Sequence, residues 1–83
     1  MESLFIEDQT FDKIDFTQKP LTKGEYENCT FITCDFSNAN LSEFKFISCS
    51  FNACNLSLAV LQKTSMQEVL FKDCKLLGLQ FWQ

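Results

Sequence analysis

The chain contains no histidine and no arginine among its 83 residues. That removes Ser–His–Asp and Cys–His arrangements, histidine metal sites and arginine fingers. Glycine occurs twice and proline once, so there is no glycine-rich loop to cradle a phosphate. Turns must also form without Gly-Pro punctuation. No apolar run approaches the roughly 20 residues of a membrane-spanning helix. The opening residues Met1-Glu2-Ser3-Leu4-Phe5-Ile6-Glu7-Asp8 lack the basic start and apolar stretch of a secretory signal. Lysine is the only cation, the formal net charge is −4, and no basic stripe exists. Direct binding to nucleic acid is therefore disfavoured. The five cysteines are an odd number without a secretory signal, which points to a reduced, cytoplasmic protein.

What is present is a beat of five. Every fifth residue from position 11 is large and apolar or aromatic: Phe11, Phe16, Leu21, Tyr26, Phe31, Phe36, Leu41, Phe46, Phe51, Leu56, Leu61, Met66, Phe71, Leu76 and Phe81. Ile6 extends it backwards. Neither a helical period of 3.6 nor a strand period of 2 produces this spacing. Two places before the centres, small residues recur: Cys29, Cys34, Ala39, Cys49, Cys54, Ala59 and Cys74. Phe44 and Thr64 also occupy this phase, and the earlier members Gln9, Ile14, Lys19 and Gly24 fit it less well, so the first coil should be looser or act as a cap. The other three positions of each unit are mostly polar.

Two side chains in and three out, with one turn every five residues, describe a square tube. Four units, or 20 residues, complete a coil, and successive coils stack as short parallel strands about 4.8 Å apart. The expected fold is all-β, a quadrilateral β-helix of about four coils. Its columns are Phe11/Phe31/Phe51/Phe71, Phe16/Phe36/Leu56/Leu76, Leu21/Leu41/Leu61/Phe81 and Tyr26/Phe46/Met66. Residues 1–8 form a lead-in and 9–83 the β-helix. A content of 46% hydrophobic residues with ten phenylalanines argues against disorder.

The units Cys34-Asp35-Phe36-Ser37-Asn38, Ala39-Asn40-Leu41-Ser42-Glu43 and Cys54-Asn55-Leu56-Ser57-Leu58 resemble the pentapeptide-repeat proteins. That resemblance implies a right-handed quadrilateral β-helix over about residues 9–83. The stretch from Asn28 to Phe51 is also similar to the quinolone-resistance (Qnr-type) subgroup. The likeness implies an acidic rod that imitates duplex DNA, binds type II topoisomerase (gyrase) and protects it from quinolones.

Acid is concentrated early. Residues 1–35 carry eight acids and three lysines, a net of −5, whereas 36–83 carry a net of +1. Asp12, Asp15, Glu25, Glu27 and Asp35 form the candidate acidic binding face. On a convex tube with no cleft such acids are a solvated face rather than acid–base catalysts, so no enzyme and no cofactor is expected. The pairs Cys29/Cys34 and Cys49/Cys54 lie one coil apart and could hold a soft metal as thiolates. The simpler reading is that cysteine is a good small buried residue. Parallel Cβ vectors along a column disfavour disulfides, so free thiols are expected. Near the last coil the outward positions become apolar at Leu70, Leu77 and Trp82. These favour a homo-oligomer through the C-terminal coil, in a chain that is a piece of a longer repeat protein. The alternative function is a purely structural, self-associating repeat.

Overall fold

The computed structural model describes residues 4–79. Eight three-residue strands occur among them: β1 (Phe5–Glu7), β2 (Thr10–Asp12), β3 (Glu25–Glu27), β4 (Thr30–Ile32), β5 (Lys45–Ile47), β6 (Ser50–Asn52), β7 (Ser65–Gln67) and β8 (Leu70–Lys72). They form two four-stranded sheets, ordered β1-β3-β5-β7 and β2-β4-β6-β8. Every pairing is parallel and joins residues twenty apart, as in Phe11↔Phe31, Phe31↔Phe51 and Phe51↔Phe71. The other two faces are held by single bridges, Asp15↔Asp35↔Asn55↔Lys75 and Asn40↔Val60. This is the quadrilateral β-helix of the five-residue beat. No helix occurs among the described residues, so none is long and apolar enough to cross a membrane. Strand pairing begins inside the segment expected as a lead-in, because β1 already pairs with β3.

The corners answer the shortage of glycine. Two residues after almost every centre the backbone turns left-handed: φ is 56° at Asn28, 51° at Thr33, 61° at Asn38, 65° at Glu43 and 55° at Ala53. Gly78 is the only glycine among these corners. Each non-glycine corner costs about 1–2 kcal/mol of local sterics. Inter-coil hydrogen bonds offset that cost. The corner amides of Asn28, Thr33 and Ala53 donate to the carbonyls of Ile47, Asn52 and Lys72, each at 2.8 Å. On the bridged faces the corner is a type II turn, in which the amide of Ala39 donates to the Phe36 carbonyl at 2.9 Å. The residue before the centre primes that turn. Oδ1 of Asp35 accepts the Ser37 amide at 2.9 Å, and Oδ1 of Asn40 and of Asn55 accepts the amides of Ser42 and Ser57 at 3.0 Å. The Asp/Asn of the repeat is thus an Asx-turn device.

Phenylalanine fills the interior in two directions. Along the column, Phe11, Phe31, Phe51 and Phe71 stack with ring centroids 4.8, 4.7 and 5.2 Å apart. Between columns the rings meet nearly edge to face, with Phe31–Phe36 at 5.5 Å and 73° and Phe46–Phe51 at 5.4 Å and 76°. Both arrangements suit the aromatic quadrupole. Tyr26, Phe31, Phe36, Phe46, Phe51 and Leu56 are wholly buried, and Phe16, Leu41 and Leu61 nearly so. Phe11, Leu21 and Met66 are partly buried against this core.

Two centres depart from the expected burial. Phe71 and Leu76 are 37% and 39% exposed. In the earlier coils a centre is covered by the residue twenty positions on, as Phe31 is by Phe51. Phe81 lies outside the described residues. Phe44 sits where a small residue was expected, yet is buried and stacks on Tyr26 at 6.0 Å and Phe46 at 5.7 Å. Twenty residues before Phe44 the chain has Gly24, where an added Cβ would lie 2.6 Å from the Leu4 carbonyl oxygen. The two coils therefore approach too closely there for any side chain.

The first coil is looser, as the poor fit of its small positions suggested. Left-handed corners occur at Asp8 and Lys13 but not at Gln18 or Lys23. Instead the Gln18 amide donates to the Asp15 carbonyl at 3.4 Å. Pro20 follows, and it biases Lys19 towards extended backbone.

Candidate functional site

The five candidate acids do not share one face. Glu25 and Glu27 flank Tyr26 on β3, Asp12 ends β2 in the other sheet, and Asp15 and Asp35 bridge one another on a third face. Glu7 is the register partner of Glu27, which adds a like-charge pair. The acid therefore wraps the N-terminal coils instead of forming a patch. Asp15 and Asp35 also have structural work. Oδ1 of Asp15 accepts the Thr17 amide at 2.9 Å and its hydroxyl as well. These bonds, the hydroxyl's first, hold the Asp15 carboxyl below its ordinary pKa. Lys23 pairs with Glu43 at 2.8 Å with both side chains largely exposed, an ion pair of small net value.

All five cysteines are free thiols. Each donates to the carbonyl 23 residues earlier: Cys34 to Phe11 at 3.3 Å, Cys49 to Tyr26 at 3.2 Å, Cys54 to Phe31 at 3.3 Å, Cys74 to Phe51 at 3.0 Å and Cys29 to Ile6 at 3.7 Å. The Thr64 hydroxyl repeats the contact on Leu41 at 2.7 Å. The small position thus supplies a donor to the coil beneath as well as a small volume. Burial pushes the Cys54 thiol up to about 11 and raises that of Cys49. Metal binding needs the opposite, a thiolate. No group of three or more His, Cys, Asp or Glu side chains gathers in metal-holding geometry among the described residues.

The apolar candidates near the last coil point outward. Leu70 is 68% and Leu77 78% exposed. They occupy columns that hold Thr10, Thr30 and Ser50, and Ser37 and Ser57, in earlier coils. Leu58, 48% exposed, adds a third apolar side chain beside Gly78. Trp82 lies outside the described residues.

A convex tube with no cleft was expected, but the structure contains one. A half-open cavity of about 450 Å³ is lined by Phe16, Thr17, Pro20 and Leu21 of the first coil and by residues 35–41 of the second. Of the candidate acids only Asp35 lines it. The available signal was Lys19 in a phase that elsewhere carries small residues, followed by Pro20. Asp35 is the one carboxylate in the cavity lining, and that side chain caps the turn at Ser37.

Comparison with known proteins gives a consistent family. The model described as a pentapeptide repeat region matches residues 24–83. No curated protein sequence matches the chain significantly. Among solved structures, one trypsin-treated form of QnrB1, a plasmid-mediated fluoroquinolone resistance protein, superposes with a TM-score of 0.69 at 24% identity, over 93% of this chain and 47% of that one. A second trypsin-treated form gives 0.67 at 25% identity, over 90% and 46%. Full-length QnrB1 gives 0.60 at 32% identity, over 84% of this chain and 33% of that one. The chain thus spans less than half the length of each of these proteins.

Proposed function

Because the chain belongs to the pentapeptide-repeat family, we propose that it is a non-enzymatic protein-interaction scaffold whose target is a type II topoisomerase, gyrase. The observation that carries this reading is its likeness to full-length QnrB1, a fluoroquinolone resistance protein. The charge distribution supports it. Acid disposed on three faces of the first coils surrounds the rod with negative potential, as phosphates surround a duplex. A basic DNA channel would attract such a rod over a Debye length. The interior offers stacked rings and hydrogen-bonded thiols rather than reactive groups, which supports a surface role.

The test is direct binding of the purified chain to gyrase at low ionic strength, followed by competition with plasmid DNA. Binding should weaken steeply with added salt and with the pair Glu25→Lys and Glu27→Lys. Binding that ignores both salt and charge reversal would refute the mimicry, and no binding at low salt would refute the target.

The outward leucines favour a second reading, self-association through the last coil. Light-scattering mass over a range of concentrations tests it. A dimer that dissociates with Leu77→Asp or Trp82→Asp supports the interface, and a monomer at every concentration rules it out.

A further inference from the structure

Between the first two coils the hydrogen-bond ladder opens on one face only. One coil later that face is closed: the Val60 amide donates to Ala39 at 2.9 Å, Leu41 to Val60 at 2.8 Å, Asn38 to Ser57 at 2.9 Å and Glu43 to Gln62 at 2.9 Å. The equivalent bonds between residues 17–23 and 37–43 are absent among the described residues. The opening is bounded by closed contacts, Phe16 amide to Asp35 carbonyl at 3.0 Å on one side and Lys45 amide to Gly24 carbonyl at 3.1 Å on the other. Asn40 is exposed here and bridges only upward, to Val60. Its downward N–H and C=O, and the carbonyls of Ser37 and Ser42, have no backbone partner among the described residues. The same stretch forms one wall of the 450 Å³ cavity, with Phe16, Pro20 and Leu21 opposite. An interrupted ladder and a recess of mixed polar and apolar lining therefore coincide.

We propose that this slot binds an extended peptide segment of a partner protein through a β-bridge to Asn40. The unpaired N–H and C=O of Asn40, a bridge residue between the left-handed corners at Asn38 and Glu43, recognise another backbone, and the recess takes a side chain from it. A volume of 450 Å³ lies within the roughly 300–1,000 Å³ of ordinary binding sites. At a rise of about 3.3 Å per residue, about four residues cover the opening. Asp35 in the wall and Asp15 bridged beneath it select a segment with a lysine or arginine at the adjoining end. The proposal concerns a different face from Glu25 and Glu27 and does not rest on the topoisomerase reading.

The test is amide mapping by NMR on the full chain. The probes are acetyl-Lys-Val-Ala-Val-Lys-amide, the same peptide with glutamates at both ends, and the lysine peptide N-methylated at alternate residues. The lysine probe should shift the amides of Thr17, Gln18, Lys19, Leu21 and Ser37–Leu41 and slow exchange of the Asn40 amide by about tenfold, the value of one added hydrogen bond. The N-methylated probe should not. Asp35→Asn keeps the turn cap, as Asn55 does one coil on, and should weaken the lysine probe about two- to fivefold. The proposal is overturned by an absence of shifts at millimolar probe, by equal binding of the N-methylated peptide, or by shifts confined to β3. It is also overturned if Asn40 is already protected in a concentration-dependent way without probe, which would make a second copy of the chain the occupant.

Discussion

Replacing alanine by glycine should stabilise this protein at position 53 and destabilise it at position 59. The two alanines lie six residues apart in the same coil. Ala53 is exposed and sits at φ 55°. Its methyl contributes no burial, while the left-handed backbone costs an L-residue about 1–2 kcal/mol. Glycine removes that cost and adds about 0.5–1 kcal/mol of unfolded-state entropy. The net expectation for Ala53→Gly is a gain of about 0.5–1 kcal/mol. Ala59 is wholly buried and has no positive φ. There glycine brings the same entropy and also loses a buried methyl worth about 0.8 kcal/mol, so Ala59→Gly should cost about 1.3–1.8 kcal/mol. Urea unfolding followed by far-UV circular dichroism measures both. For a domain of this size 1 kcal/mol moves Tm by about 4–8 °C, so the variants should lie on opposite sides of the parent and differ from each other by about 8–20 °C. A loss of stability in both would refute the account of the corners, because only backbone conformation distinguishes the sign.

Three further outcomes follow from the same geometry. Phe51→Ala removes a wholly buried ring stacked on both sides and should cost about 3–5 kcal/mol; Phe71→Ala removes a ring 37% exposed and should cost less than half as much in the same urea titration. Asp35→Ala leaves the Ser37 amide without its acceptor and should cost about 1 kcal/mol, whereas Asp35→Asn should be nearly silent. Folding raises Cys54 from 9.0 to about 11 and Tyr26 from 10.0 to about 12, in both cases by burial first. The folded state then holds more protons than the unfolded state above about pH 9. Stability should therefore be level below that pH and fall as pH climbs towards about 12, and Cys54→Val should flatten the first part of the fall in a pH series of urea midpoints.

Much of this molecule is legible without coordinates. Burial selects one large residue in every five and one small residue two places before it, and that selection acts on each unit separately. Phase alone therefore places Phe11, Phe31, Phe51 and Phe71 in one column and sets the strand partners twenty residues apart. Other features depend on what two coils do to each other. The left-handed corner at Ala53 or Thr33 has no residue signature, because inter-coil hydrogen bonds hold a conformation that neither residue prefers. Phe44 breaks the small-residue pattern, yet it is buried beside Tyr26 and Phe46. The acids read as one face are divided among three, since neighbours in sequence turn a corner before they become neighbours in space. The slot at Ser37–Leu41 exists because a turn at Asp15–Gln18 and Pro20 carry the first coil away from the second. Single-residue burial is a local choice and shows in the sequence, whereas pairing between coils is decided only where both partners meet in the folded tube.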